Sequence, residues 1–202
     1  MARSSLTDQP GIHELLLQAL ETEQGGIQVY TAALGAAQNE DLVQEWQEYL
    51  EQTRRHEQIL VRVFEDLGKD PDESSPGREV VASLGQSLVT AIEMAVANGD
   101  PAAAELVAAE CVVLAETKDH QNWELIGQVA AKGGKEGKLL QQAHSEVEKE
   151  EDHHLYHTKG WARELWMQSL GLPAVLPPPE ERKHVETAIG AARAEQERKR
   201  ML

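Results

Sequence analysis

The sequence predicts an all-α protein. Four long helices form two antiparallel hairpins, joined by a crossover that carries a shorter helix and followed by a helical tail. Three observations predict this. Of 202 residues, 41% are hydrophobic but only 4% aromatic, with Ala, Leu, Glu and Gln dominant and no Val/Ile runs bounded by turns, a balance that favours helix over sheet. Gly, Pro and Asx clusters divide the chain into long uninterrupted segments. Within those segments inward-facing residues recur in steps of three and four.

The elements follow in order. "TDQP" offers Thr7 or Asp8 as an N-cap with Pro10 just inside, so a first helix begins near residue 9 and runs to about Ala37. "QNED" makes a short turn into a second helix, from about Asp41 to Leu67. "GKDPDESSPG" is the longest polar loop of the body, and a helix from about Arg78 to Ala97 follows it and ends at "NGDP". The next helix spans Pro101 to about Lys132, and "GGKEGK" turns the chain into the last long helix, which reaches about Leu170. "GLPAVLPPP" stops it, and the charged segment from Glu180 to Arg200 reads as a separate surface helix or a partner-binding arm. Residues 1–8 are thus an N-terminal tail, 9–170 the helical bundle, and 171–202 a Pro-rich loop with a charged helix.

Charge narrows the function. A net charge of −16 argues against unaided binding to nucleic acid or an anionic membrane and is compatible with attracting metal cations. The single cysteine, Cys111, rules out an intrachain disulfide and suits a reducing compartment. "MARSSLTDQPGIHE" has no apolar core of signal-peptide type, and no stretch reads as long and apolar enough to span a bilayer. A soluble, cytoplasmic protein is expected.

The inward seams carry the chemistry. They run Leu16, Leu20, Glu23, Ile27, Tyr30, Leu34 in the first helix and Leu42, Trp46, Tyr49, Thr53, His56, Leu60, Val63, Leu67 in the second. The third long helix gives Leu106, Ala109, Val113, Glu116, His120, Trp123, and the fourth gives Leu140, His144, Val147, Glu151, His154, Thr158, Trp161, Leu165. Each is apolar at its ends and ionisable in the middle. A carboxylate on a buried seam costs several kilocalories unless it is paired or ligated. Glu23 and Thr53–His56 flank one hairpin turn nearly symmetrically, as Glu116 and Glu151–His154 flank the other, so all converge at one level.

Carboxylates with imidazoles suit iron first, then manganese, with zinc a third choice, and a carboxylate can bridge two ions. Dimetal sites in helical bundles take a lone Glu from each of two helices and Glu-x-x-His from each of the other two. The run "EVEKEEDHHLYHTKGW", with five acids and three histidines, supplies Glu151 and His154 as one complete pair. Glu23 and Glu116 are the lone acids. "TRRH" departs from the pattern, because Thr53 stands where a carboxylate should precede His56 and cannot bridge metals as one does. The expected ligands are therefore Glu23, His56, Glu116, Glu151 and His154. Thr53, His120, Tyr30 and His144 are candidates for extra ligands or for supporting contacts. Glu110 competes with Glu116 for an inward position. Glu146, Glu148, Lys149 and Glu150 read as a solvated face, and His153 and His157 lie beside the seam. Gly25 and Gly26 inside a helix suggest close helix approach or a kink.

The helix order and "EEDHHL" resemble the ferritin-like superfamily over about residues 11 to 168. More narrowly, "YLEQTRRHEQILVRVFEDLGKDP" is similar to the second helix and following loop of the stress-associated YciF-like ferritin family. The resemblance implies a ferritin-like four-helix bundle that binds two metal ions and is linked to oxidative stress. It does not define a substrate, and the tail after Gly171 falls outside it. Two functions are compatible with these residues. One is a non-haem di-iron or di-manganese oxidoreductase reacting with dioxygen or peroxide, of ferroxidase, peroxidase or catalase type. The other is a stress-related dimeric scaffold with a degenerate or mononuclear site and no turnover. A homo-oligomer, most simply a dimer, is expected in either case.

Overall fold

The computed structural model describes residues 6–202, so residues 1–5 of the expected N-terminal tail lie outside it. Among the described residues the protein is all-helical, with no strand. A 3-10 turn, Leu6–Asp8, leads into α1 (Pro10–Ala36) and α2 (Glu40–Leu67). These are followed by α3 (Pro76–Ala97), α4 (Pro101–Ala130) and α5 (Gly134–Ser169), then by the short α6 (Pro179–Arg182) and α7 (Ala188–Glu197). The long elements agree with the sequence boundaries to within about two residues, the usual scatter of helix ends.

Local chemistry fixes the ends. The Asn39 side chain accepts from the backbone amides of Asp41 and Leu42, Ser75 from that of Arg78, and Asp100 from those of Ala102 and Ala103. Each thereby satisfies amides that the first helical turn leaves orphaned. Gly68 closes α2 in the left-handed conformation. At the first helix Gln9 is the boundary residue rather than Thr7 or Asp8, because those two are drawn into the 3-10 turn, where the Thr7 amide donates to Glu136.

The hairpins α1–α2 and α4–α5 each pack internally, α1 lies against α4, and α2 lies against α5. Buried Glu105 of α4 locks the first turn by accepting the amides of Gln38 and Asn39, both at 2.7 Å. The crossover helix α3 lies on α1 and α4. Gly25 and Gly85 let these backbones approach, since a Cβ built on Gly85 would sit 3.5 Å from the Gly25 Cα, and Gly26 faces the Thr53 methyl.

Two apolar clusters form the interior. One contains Leu42, Trp46, Val112, Trp161 and Leu165, and the other Leu16, Leu20, Leu60, Phe64, Ile126 and Leu140. At roughly 1.5–3 kcal/mol for each large apolar side chain buried, these two blocks carry the fold. The ionisable seam residues fall between them.

Two departures from expectation concern the remaining segments. α3 is long and apolar enough by length and composition to cross a membrane, which corrects the expectation that no stretch is. Its sequence is interspersed with Ser, Gly and Thr, and it buries only Val81 and Ile92 while exposing Val80, Leu84, Met94 and Val96. The tail is two short helices rather than one helix from Glu180 to Arg200. It is fastened to α5 by a two-pronged Arg163–Glu180 pair, at 2.9 and 2.8 Å, and by Arg198 on Glu164. The buried Glu164 carboxylate also accepts the Val175 amide, and these anchors hold the chain in separate pieces.

The hairpin turn offers a test of close approach. A Cβ on Gly137 would meet the Ala130 carbonyl oxygen at 2.7 Å, whereas one on Gly35 would meet open space. Gly137→Ala should therefore destabilise the protein by about 1–3 kcal/mol, and Gly35→Ala should stabilise it by about 0.5 kcal/mol. Denaturant unfolding of the two variants checks both signs.

Candidate metal centre

Six side chains from four helices meet between the apolar clusters. α1 gives Glu23, α2 His56, α4 Glu116 and Asp119, and α5 Glu151 and His154, each at most 4% exposed. His56 Nδ1 lies 2.9 Å from Glu151 Oε1 and 3.8 Å from Glu23 Oε1. His154 Nδ1 lies 3.5 Å from Glu116 Oε2 and 3.8 Å from the same Glu151 oxygen. Two ligand-competent groups result, Glu23–His56–Glu151 and Glu116–Glu151–His154, and both include Glu151. All five residues expected as ligands are thus brought together.

Their outer atoms are held by neighbours. Trp123 Nε1 donates to Glu23 Oε1 at 2.7 Å, and the Tyr30 hydroxyl donates to Glu116 Oε1 at 2.6 Å. His56 Nε2 is 2.7 Å from Glu150 Oε2, and His154 Nε2 is 2.6 Å from Gln52 Oε1. Both acceptors require a proton on Nε2, which leaves the Nδ1 lone pair of each ring facing the carboxylates. This is how histidines that bind metals are commonly oriented.

The inner atoms have no such partners. Glu23 Oε2, Glu116 Oε2, Asp119 Oδ1, both Glu151 oxygens and the Nδ1 atoms of His56 and His154 are buried without a hydrogen bond. Acceptors facing acceptors in a dry interior require protons or cations between them. The carboxyl groups register this directly. Burial, then the nearby Glu116 charge, pushes Glu151 up to about 8. Burial followed by Asp119 and Glu151 raises Glu23 well above the usual carboxylate range, and burial followed by Glu151 and Glu116 does the same to Asp119. A donor set of carboxylates and imidazoles with inward lone pairs could hold one ion in each half, with Glu151 common to both.

The remaining candidates stand around the centre rather than in it. The Thr53 hydroxyl donates back to the Tyr49 carbonyl at 2.9 Å, and its methyl packs on Gly26, so it offers the centre nothing. His120 instead contacts Asp152 at 2.8 Å, and His144 packs its ring on Gly127. Both line a cleft of about 220 Å³ between α4 and α5 that has Glu151 on its wall, beside the centre rather than in it. Glu110 is exposed and accepts from Trp166. Glu150, read as solvated, orients His56; burial raises its carboxyl, but the His56 hydrogen bond and Arg55 outweigh this and hold it low. His157 is fully buried rather than peripheral.

Asp119 is the residue that sequence reasoning missed. It stands three residues after Glu116, one turn along the same face, and is buried where its charge adds to burial in raising the Glu23 carboxyl. The seam of α4 runs Ala109, Val112, Glu116, Asp119, Trp123, not through Val113 and His120. Steps of three and of four both landed on apolar or ionisable residues there, so periodicity could not choose. The Glu-x-x-Asp spacing was the available signal.

No family model, curated protein or solved structure matches this chain.

The electrostatics predict the pH response of the metal-free protein. A carboxyl raised in the fold keeps a proton that the unfolded chain releases, so its contribution is complete below the unfolded value and is lost as pH rises through the folded one. For Glu151 that window runs from 4.5 to about 8. Stability without metal should fall across it, at about 1.4 kcal/mol per pKa unit of difference. Glu151→Gln should flatten the dependence. Thermal melts of chelated protein at pH 5, 6.5 and 8 check both.

Proposed function

We propose that the chain is a ferritin-like four-helix bundle, formed by α1, α2, α4 and α5, whose buried centre binds two metal ions and reacts with dioxygen or peroxide. The observation that carries this reading is the pair of donor groups sharing Glu151, with seven inward atoms left without hydrogen bonds. Glu23 and His56 would hold one ion, Glu116 and His154 the other, and Glu151 would bridge them. Asp119 supplies the fourth carboxylate that the second helix lacks at Thr53. Iron is the first candidate and manganese the second, since carboxylate-rich sites with imidazole suit both.

A pair of such ions supplies reversible one-electron chemistry towards dioxygen or peroxide. The chain's own residues prepare the site for it. Tyr30 and Trp123 fix the rotamers of Glu116 and Glu23, while Glu150 and Gln52 hold the two imidazoles with Nδ1 inward. The apolar clusters on either side exclude bulk water, so charge at the centre is poorly screened and ligand geometry is set in advance. Protons held on Glu151, Glu23 and Asp119 in the metal-free form must leave as ligands engage, which makes metal uptake stronger at higher pH. The α4–α5 cleft bearing Glu151, His120, His144, Glu148 and Asp152 gives cations an acidic approach.

Thr53 favours a second reading, in which the site holds one ion or none and the protein is a stress-related dimeric scaffold without turnover. Its hydroxyl is turned to its own helix, so the second helix brings only one donor to the centre.

Metal analysis separates the two. Protein reconstituted anaerobically with Fe(II) or Mn(II) should retain close to two ions per chain, and Glu151→Ala combined with His154→Ala should lose both. Asp119→Asn should lower retention. Dioxygen uptake or peroxide loss that follows the metal content supports the oxidoreductase. About one retained ion per chain without turnover supports the scaffold, and no retained metal at the centre would overturn the two-ion reading.

A further inference from the structure

We propose a second metal site, separate from the central one, in which His153 and His157 of α5 and Glu181 of α6 take one divalent transition-metal ion of the zinc type and pin the C-terminal segment to α5. The three residues each offer a ligand atom, and these atoms lie within 4.8 Å of one another. The histidines are four residues apart on a helix, so both rings project from one face, and their centroids are 3.6 Å apart.

The bonding at His157 points to a cation. This ring is fully buried. Its Nε2 lies 2.9 Å from the Val185 carbonyl oxygen, which can only accept, so Nε2 carries the proton. In the metal-free protein a proton joins Nδ1 to Glu181 Oε2 at 2.5 Å, with Glu45 Oε1 at 3.6 Å: burial lowers the ring's pKa, but the Glu181 and Glu45 carboxylates outweigh it and raise it to about 9. Three acceptors converge on one spot, which either a proton or a metal ion must occupy. A histidine whose other nitrogen donates to a backbone carbonyl is already oriented for ligation. No hydrogen bond within the described residues engages the His153 ring, which leaves a nitrogen for the same ion.

The surroundings supply the rest. With the Nδ1 proton displaced, two imidazoles and one carboxylate suit zinc, with a solvent molecule completing four-coordination. The site opens on a groove of about 430 Å³ lined by Glu45, Tyr49, His153, Glu181 and His184, so an ion can enter without unfolding the helices. The Arg163–Glu180 pair anchors the residue next to Glu181 to α5. Tyr49 divides this site from the centre: its ring lies 4.2 Å from that of His154, and its hydroxyl donates to Glu45.

The test counts ions on the full-length protein. After equilibrium dialysis against Zn(II), His153→Ala and Glu181→Gln should each bind one equivalent less than wild type, with unchanged far-ultraviolet circular dichroism. The Glu151→Ala, His154→Ala double variant should keep that equivalent, so the result does not depend on the central site. In crystals soaked with Zn(II), an anomalous peak should lie among His153, His157 and Glu181. Equal zinc content in wild type and both variants, or no peak at that position, would mean that a proton alone joins His157 to Glu181, and the site would be withdrawn.

Discussion

The structure depends on four carboxyl groups and two imidazoles sharing a dry space with no fixed positive side chain among them. Glu23, Glu116, Asp119, Glu151, His56 and His154 are all buried, and their inward atoms are acceptors. Several buried carboxylates brought this close repel one another by amounts that would rival the net stability of a domain. The metal-free protein relieves this by holding protons, as the raised Glu151, Glu23 and Asp119 carboxyls record. An interior that must hold either protons or cations is poised to exchange one for the other. The proposed metal binding and the cost to stability therefore share a source.

The rest of the molecule is arranged around that layer. Apolar clusters on both sides contribute the burial that offsets its cost, and they keep water from screening it. The outer atoms of Glu116, Glu23, His56 and His154 are tied to Tyr30, Trp123, Glu150 and Gln52, so ordering of these four groups occurs outside the layer. Gly25 and Gly85 face each other where α1 meets α3, and Gly26 faces the Thr53 methyl of α2. The tail adds a further layer, fastened at the far end of α5 by Arg163 of α5 to Glu180 of the tail and by Arg198 of the tail to Glu164 of α5.

Much of this was legible in the sequence. Helix punctuation is written in single residues, such as Pro101 after Asp100 and Gly68 after Leu67, and the turns form where those residues stand. Glu23, His56, Glu116, Glu151 and His154 were legible because each is a costly residue in the middle of a helical seam whose ends are apolar. Asp119 was not, because Val112 and Val113 satisfy the α4 pattern equally well, and so do Asp119 and His120. The roles of Glu150 and Gln52 were hidden for another reason: they act across helices, and periodicity along one helix says nothing of what faces it from the next. The tail escaped because a charged segment reads as solvated unless its partners, here Glu164 and Arg163 on α5, are known. The apolar outer face of α3 follows from where the helix docks, with only Val81 and Ile92 turned inward.

The central claim is that Glu151 stands between two ion sites. Anomalous diffraction from crystals loaded with Mn(II) tests it most directly. The account predicts two peaks, one flanked by Glu23 and His56 and one by Glu116 and His154, with a Glu151 oxygen within bonding distance of each. A single peak away from Glu151, or a metal-free centre under saturating Mn(II), would contradict it.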